Sequence, residues 1–114
     1  MPECLFCRIV SGDVPASRVL ESPRAIAFRD ISPQAPTHLL VIPKDHYADL
    51  AALAEAGDGL LAEVLAQVHQ AAVAGGISDS GYRVVFNTGR DAGQEVAHVH
   101  AHVLGGRRLS WPPG

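Results

Sequence analysis

Three histidines stand at alternate positions within one five-residue segment, and this spacing is the most chemically informative feature of the chain. They are His98, His100 and His102, and an apolar residue separates each from the next. Alternate side chains of a β-strand point to one face, so a strand over residues 97–104 would place the three imidazoles side by side at steps of roughly 6.6 Å. The apolar residues between them would then point into the core.

Such a row of imidazoles has three interpretations. It could be a solvated polar face, a zinc site built on a His-x-His pair, or a site of covalent catalysis. In the third, one neutral imidazole attacks phosphorus and a neighbouring one acts as general acid. The surrounding residues favour this third interpretation, because Asn87, Gly93 and Gln94 bring amide donors and close backbone approach, which suit a phosphate or nucleotide.

Two cysteines, Cys4 and Cys7, form a single Cys-x-x-Cys pair near the start of the chain. In a reducing compartment this spacing predicts half of a metal site or a redox pair rather than a structural disulfide. A redox pair is disfavoured because the motif does not follow a strand within a βαβ pattern. A structural zinc ion needs four ligands, so two more would come from elsewhere in the fold. The alternative is a pair of inert, reduced thiols.

The elements that must position these residues are predicted from periodicity. Apolar residues at helical spacing between Leu60 and Ala72 predict one long helix, which the Gly75-Gly76 pair ends. Short helices are expected over residues 5–10 and 49–54, and extended segments over residues 18–21, 25–30, 39–42, 82–86 and 97–104. The order predicts an α+β domain, an antiparallel sheet with the long helix on one face.

Size and charge exclude several classes of protein. A chain of 114 residues fits one domain, and its 47% apolar and 18% charged residues exclude a disordered protein. A net charge of −3 argues against binding to a nucleic-acid backbone, though not against a small phosphate ligand. The longest run of large aliphatic residues, 39–42, is too short to span a membrane, and no export signal is visible. We therefore expect a cytoplasmic protein with no membrane or nucleic-acid partner.

The segment from His98 to Leu104 has the form His-φ-His-φ-His-φ-φ, where φ is apolar, and it resembles the signature of the histidine triad (HIT) superfamily. Four further segments, residues 28–38, 41–44, 93–96 and 111–114, are similar to the Hint branch, the histidine triad nucleotide-binding proteins. The resemblance covers nearly the whole chain. It implies a single HIT domain over residues 1–114, with a five-stranded antiparallel sheet, one long helix and a short N-terminal helix.

The resemblance also implies an activity. Hint proteins are homodimers whose two sheets join into one continuous ten-stranded sheet, and they hydrolyse purine nucleoside phosphoramidates and related substrates to release AMP or GMP. No cofactor is required for that chemistry. Two other functions stay open at this stage: a dimeric purine-nucleotide-binding or scaffold protein with little turnover, and a zinc hydrolase that uses the triad as ligands.

Catalytic roles follow from the same resemblance. The middle histidine of the triad, His100, would be the nucleophile and would form a nucleotidyl-histidine intermediate that water hydrolyses. His102 would bind the phosphate and assist proton transfer to the departing amine. His38 would orient the site by hydrogen bonding, although a buried histidine at the start of a strand would also explain that position.

The resemblance implies a nucleotide site as well. Asp30 would hold the ribose hydroxyls, since a carboxylate accepts two vicinal hydroxyl protons, and Ile31 would pack beside the sugar and base. The base pocket would be walled by Leu5, Phe6 and Ile9. The phosphate or its leaving group would contact Asn87, Gly93, Gln94 and Glu95. Segment 105–114 would reach toward the partner subunit, where Trp111 would tune substrate choice rather than act only as a dimer anchor.

Position 95 departs from the pattern of a well-known part of the branch, because Glu95 stands where that part carries serine. A hydroxyl donates to a phosphate oxygen, whereas an ionised carboxylate only accepts. Contact at this position would therefore use the backbone N–H. The side chain would instead favour leaving groups that carry positive charge.

Finally, the resemblance implies a structural Zn²⁺ ion held by Cys4, Cys7, His46 and His98, as in related HIT proteins that keep the Cys-x-x-Cys pair. The first triad histidine would then serve away from the chemistry. Many Hint proteins lack the cysteines, so zinc would not be needed for catalysis. The remaining histidine, His69, is expected on the surface of the long helix.

Overall fold

The computed structural model describes residues 4–114, which form a five-stranded antiparallel sheet and three helices. The helices are α1 (Leu5–Ser11), α2 (Leu50–Glu55) and α3 (Leu60–Ala74). The strands are β1 (Arg18–Glu21), β2 (Ala25–Arg29), β3 (Thr37–Pro43), β4 (Tyr82–Val85) and β5 (Ala101–Gly105). The order across the sheet is β1-β2-β3-β5-β4, with every neighbouring pair antiparallel. The predicted α+β class and sheet are confirmed.

The central strands are apolar on both faces, so both faces of the sheet are covered. In β3, Leu39 and Val41 pack in the core cluster that contains α3, whereas Leu40 and Ile42 pack in a second cluster on the other face. That second cluster also contains Phe6 of α1. α1 is much shorter than α3 and covers only part of its face, which leaves room for a cavity beside it.

Glycine ends two of the helices, as expected from its freedom to adopt positive φ. α1 ends at Gly12, where φ is 89°, and its N–H donates to the carbonyl of Ile9. After α3 the chain turns at Gly76, where φ is 75°, so the prediction that the Gly75-Gly76 pair ends the long helix is confirmed.

The strand predicted over residues 97–104 is wrong at its start, because β5 begins only at Ala101. Before that residue the backbone is bonded outside the sheet. The N–H of Val99 donates to the carbonyl of Tyr47 at 2.7 Å, and the carbonyl of Pro43 accepts from the ring Nε2–H of His98 at 2.8 Å. The ladder between β3 and β5 ends at the pair of Val41 with Ala101. Pro43, two residues further along β3, has no N–H with which to extend it.

The three triad histidines therefore do not form one row on a strand. His98 and His100 lie in the irregular segment that precedes β5, and only His102 lies on the strand. The apolar half of the prediction is confirmed, since the intervening Val99, Ala101 and Val103 all lie in the core cluster against α3.

No helix within residues 4–114 is both long enough and apolar enough to cross a bilayer.

Candidate active site and metal centre

A cavity of about 670 Å³ lies on the face of the sheet opposite α3. The strands provide its floor, through Phe28, Leu40 and His102. α1, the connection between β2 and β3, and the segment from Asn87 to Val96 provide its sides. Clefts of this volume accommodate ligands of the size of a nucleotide.

His100 lines this cavity and is held in one tautomer. Its Nδ1 lies 2.8 Å from the backbone carbonyl of His98, which can only accept, so Nδ1 carries the proton and Nε2 carries the lone pair. The edge of the Phe6 ring packs against the imidazole at a centroid distance of 5.1 Å and an angle of 86°. The ring is 8% exposed, which leaves it accessible only from the cavity.

His102 is oriented by a chain of hydrogen bonds that begins at the backbone of Gln34. The Gln34 N–H donates to Nδ1 of His38 at 3.0 Å, so His38 carries its proton on Nε2. That proton is donated to Nδ1 of His102 at 2.9 Å. His102 therefore carries its own proton on Nε2, where it is available for donation to a ligand.

Burial keeps this pair uncharged. Desolvation, followed by the neighbouring His100 and His38, lowers the pKa of His102 from 6.5 to about 4. Desolvation also lowers the pKa of His38, although the carboxylate of Asp30 opposes this, with its Oδ2 3.5 Å from Nε2 of His38. Both imidazoles are accordingly neutral at neutral pH, in agreement with the single proton that each needs in the hydrogen-bond chain.

Most of the residues that the resemblance assigns to nucleotide binding line the same cavity. They are Leu5, Phe6, Ile9, Asp30, Ile31, Asn87, Gly93, Glu95, His100 and His102. Asp30 follows the end of β2, where its Oδ1 accepts the N–H of Ser32 at 2.8 Å and so holds the turn. Ile31, at 96% exposed, stands beside it on the rim of the cavity.

Two of the predicted nucleotide-binding residues lie elsewhere. Gln94 uses its side chain to hold the loop together: Nε2 donates to the carbonyls of Ala48 and Val96, and Oε1 accepts the N–H of Gly89. Both polar atoms of its side-chain amide are therefore bonded within the protein. Trp111 is 80% exposed and does not line the cavity of a single chain.

Several lining residues had not been predicted to contact a ligand. They are Val14, Pro15, Ala16, Phe28, Arg29, Ser32, Gln34, Leu40 and Val96. Most are apolar and carry no chemical signal that would separate a cavity wall from the core. Gln34 acts through its backbone N–H, which no side-chain pattern reveals.

A second cluster is made of Cys4, Cys7, His46 and His98, none of which lines the cavity. Its four ligand atoms all lie within 4.8 Å of one another. Nδ1 of His98 is 3.4 Å from Sγ of Cys4 and 3.6 Å from Sγ of Cys7, and Nδ1 of His46 is 3.5 Å from Sγ of Cys7. Two sulfur and two imidazole nitrogen ligands are the donor set of structural zinc sites.

The protonation of the cluster also fits a cation. His98 is fully buried and donates its Nε2 proton to the carbonyl of Pro43, so the lone pair on Nδ1 faces the thiols. Burial and the adjacent Cys4 thiol raise the pKa of Cys7, which keeps the Cys7 thiol protonated unless a cation compensates the charge of its thiolate. The residues present therefore fit Zn²⁺ without rearrangement of the fold.

The structure separates the triad into different sites. Within residues 4–114, His98 groups with the cysteines, His102 groups with Asp30 and His38, and His100 belongs to neither potential ligand set. This arrangement disfavours a zinc hydrolase in which the three triad histidines would hold one ion.

The low pKa of His102 has a consequence for stability. In the unfolded chain this imidazole takes up a proton near pH 6.5, whereas in the folded chain it does so only near pH 4. The unfolded state binds more protons between these values, so the free energy of unfolding should decrease as pH falls through that window. Midpoints of urea unfolding, measured at several pH values across the window, test this expectation. His102→Gln should weaken the dependence of the midpoint on pH. His69→Gln, on the exposed surface of α3, should preserve that dependence. A midpoint constant across the window would contradict the expectation.

The family model of the HIT domain matches residues 11–109 of this chain. The chain is 47% identical over 109 residues to an uncharacterized 13.2 kDa HIT-like protein of Azospirillum brasilense, which covers 95% of this chain and 89% of that protein. It is similar to the crystal structure of a HIT family hydrolase from Legionella pneumophila, with a TM-score of 0.92, 51% identity, and coverage of 98% of this chain and 100% of that one. A histidine triad nucleotide-binding protein from Candida albicans matches with a TM-score of 0.82 and 33% identity over 96% of this chain and 83% of that one.

Proposed function

We propose that this chain, which belongs to the HIT domain family, hydrolyses purine nucleoside phosphoramidates through a covalent bond between His100 and phosphorus. The observation that carries the proposal is the tautomer of His100. Its Nδ1–H is bound to the carbonyl of His98, so the nucleophilic lone pair is on Nε2, in a cavity of suitable volume for a nucleotide. The similarity to a HIT family hydrolase supports the hydrolase class.

In the first step, Nε2 of His100 attacks phosphorus and the P–N bond to the leaving group breaks. The departing nitrogen needs one proton to leave as an amine, and Nε2–H of His102 is placed to supply it. His100 gains one positive charge when it bonds to phosphorus. The His38–His102 pair is left with one negative charge when it loses its proton, so the two charges compensate each other. The hydrogen bond from His100 to the carbonyl of His98 stabilises that charge.

In the second step, water attacks phosphorus from the side that the amine has left. His102 takes the proton of the water, the bond between phosphorus and Nε2 of His100 breaks, and the nucleoside monophosphate is released. The group that acted as acid in the first step thus acts as base in the second, and each histidine returns to its starting tautomer. The sum of the two steps is hydrolysis of one P–N bond by one water molecule.

The remaining residues of the cavity fit the rest of a purine nucleotide such as AMP or GMP. We assign the ribose hydroxyls to Asp30 and the base to the apolar wall formed by Leu5, Phe6 and Ile9, with Ile31 at the rim. Asn87 and the backbone at Gly93 are assigned to the phosphate. We assign no ligand contact to the side chain of Gln94, whose polar atoms are occupied within the loop.

We also propose Zn²⁺ as a structural ion at Cys4, Cys7, His46 and His98, on the strength of their donor set and mutual distances. The ion would fix α1 to the sheet and would take no part in the hydrolysis. Reduced cysteines fit a cytoplasmic protein.

A homodimer with a continuous sheet is the assembly that we propose. β4 is an edge strand with Val84 exposed, and Leu65 and Val73 of α3 are exposed large apolar residues. An edge strand presents unpaired N–H and C=O groups that can pair with the edge strand of a second copy, which is the contact that this assembly would use. In such a dimer the exposed Trp111 of one chain would reach toward the cavity of the other.

Glu95 provides a test of leaving-group preference. Its exposed carboxylate lines the cavity near the histidines and forms no ion pair within residues 4–114, so it should attract a cationic leaving group. Glu95→Gln should lower the ratio of kcat/KM for the AMP amide of 1,4-diaminobutane to that of pentylamine by about 1.5- to 5-fold, since an exposed ion pair contributes about 0.2–1 kcal/mol. Glu55→Gln, on exposed surface of α2, is the matched control. An unchanged ratio in Glu95→Gln would remove this role.

The experiment that tests the proposed function is the release of AMP from adenosine 5′-phosphoramidate by the purified full chain. Multiple turnovers per active site are expected. The alternative function, a nucleotide-binding or scaffold protein, predicts that AMP binds while no phosphoramidate is hydrolysed. That outcome would replace the hydrolase proposal with the alternative.

A further inference from the structure

α1 contributes residues both to the metal cluster and to the nucleotide cavity. Its N-cap residue Cys4 and first-turn Cys7 face His46 and His98, whereas Leu5, Phe6 and Ile9 line the cavity. The helix has only seven residues. A helix this short is not stable by itself in water, so its tertiary contacts determine where its side chains lie: the packing of Phe6 and Ile9 in the core and the polar contacts at its two ends.

The two ends of α1 are held differently. At the C-terminal end, the guanidinium of Arg18 donates to the carbonyls of Ile9 and Val10. At the N-terminal end, the polar contacts within residues 4–114 are those of Cys4 and Cys7, to each other and to the two histidines of the cluster. The position of Phe6, between the two cysteines, therefore depends on the cluster as well as on its packing against Phe28, at a centroid distance of 5.6 Å.

His98 and Phe6 connect the cluster to the proposed nucleophile. His98 presents Nδ1 to the thiols while its backbone carbonyl accepts Nδ1–H of His100 at 2.8 Å. The ring of Phe6 packs edge-on against both imidazoles, with centroid distances of 5.9 Å to His98 and 5.1 Å to His100. A displacement of the first turn of α1 thus changes the wall of the cavity and the packing of the nucleophile together.

We propose that the cluster and the cavity are energetically coupled, with Phe6 and His98 as the positioning residues: Zn²⁺ at the cluster tightens nucleotide binding, and a bound nucleotide tightens Zn²⁺ binding. This inference rests on the proposed function. Each ligand orders the same first turn of α1, so the second to bind meets a turn that is already ordered. Thermodynamic linkage requires the two effects to be the same factor, which for coupled sites is typically about 5- to 150-fold.

The experiment uses the zinc-loaded full chain and measures the dissociation constant of Zn²⁺ by competition with a chromophoric chelator, with and without saturating AMP. AMP should lower that constant by about 5-fold or more. Phe6→Leu, which removes the aromatic edge between the two imidazoles, should bring the factor close to one. The same measurement on Phe6→Leu also controls for direct binding of Zn²⁺ by free AMP, because that binding is the same for every variant. The matched control is Val10→Ala, which lies at the end of α1 that Arg18 holds, does not line the cavity, and should keep the coupling.

The possible outcomes separate the coupling from the proposed function. A zinc affinity that AMP changes by less than about twofold, well below typical couplings, overturns the coupling, while AMP release from the phosphoramidate is unaffected by that result. A full chain that does not bind Zn²⁺ overturns the structural zinc site and the coupling together, and leaves the proposed hydrolysis unaffected. A zinc-loaded chain that does not bind AMP overturns both. Equal coupling in wild type and Phe6→Leu overturns the role of Phe6.

Discussion

Replacing His100 by alanine is expected to lower kcat/KM for adenosine 5′-phosphoramidate by at least about 10²-fold, the lower limit for loss of a positioned catalytic group. The reason is that Nε2 of His100 carries the lone pair, because the hydrogen bond to the His98 carbonyl holds the proton on Nδ1. Among the imidazoles that line the cavity within residues 4–114, His100 is the one whose lone pair accepts no hydrogen bond, because Nδ1 of His38 and Nδ1 of His102 each accept one. Steady-state kinetics with purified variants measure the effect.

His69→Ala is the matched control for the loss of an imidazole. His69 is exposed on α3 and bonds to the hydroxyl of Tyr82 at 2.8 Å, outside the cavity. This variant should keep the wild-type rate. If His100→Ala turned over the phosphoramidate at close to that rate, the assignment of the nucleophile would be wrong.

Replacing His102 by alanine is expected to have an effect that depends on the leaving group. For a phosphoramidate, whose amine must be protonated to leave, kcat should fall by about 10²- to 10⁴-fold. For the p-nitrophenyl ester of AMP the loss should be much smaller, because nitrophenolate leaves without a proton. The distinction follows from the hydrogen-bond chain from Gln34 through His38, which leaves Nε2–H as the proton that His102 can donate.

The ratio of the two losses is the informative quantity. His102 also binds the phosphate in this account, so some loss is expected with either substrate. Equal losses with the amide and the ester would show that His102 acts only by binding and would remove it as the proton donor.

The fold was largely predictable because its signals are local. The apolar run of residues 39–42 predicted the central strand β3, and the helical spacing from Leu60 to Ala72 predicted α3. The start of β5 was not predictable, because it depends on where Pro43 and Tyr47 lie after β3 has been placed. An alternation of histidines and apolar residues does not distinguish a strand that pairs in the sheet from an extended segment that bonds to a loop.

In the candidate site, too, the sequence indicated the residues but not the contacts that depend on the folded chain. The types of His100 and His102 and their spacing indicated chemistry, whereas the protons that decide their roles are fixed by a backbone carbonyl at His98 and a backbone N–H at Gln34. Gln94 was predicted to contact the phosphate or its leaving group through its side chain or its backbone N–H. Both are bonded within the protein instead, the side-chain amide to Ala48 and Gly89 and the backbone N–H to the carbonyl of Gly89. Backbone partners of this kind carry no signature in the sequence.

The existence of a bond between His100 and phosphorus is the central claim, and mass spectrometry of the quenched enzyme tests it most directly. The full chain is mixed with a slowly hydrolysed AMP ester, quenched under alkaline conditions that preserve the P–N bond, digested and sequenced by fragmentation. We predict one AMP group on the peptide that contains the triad, localised to His100, and its disappearance as substrate is exhausted. Hydrolysis at the full rate with no nucleotidyl peptide, or with the group on another residue, would contradict the account.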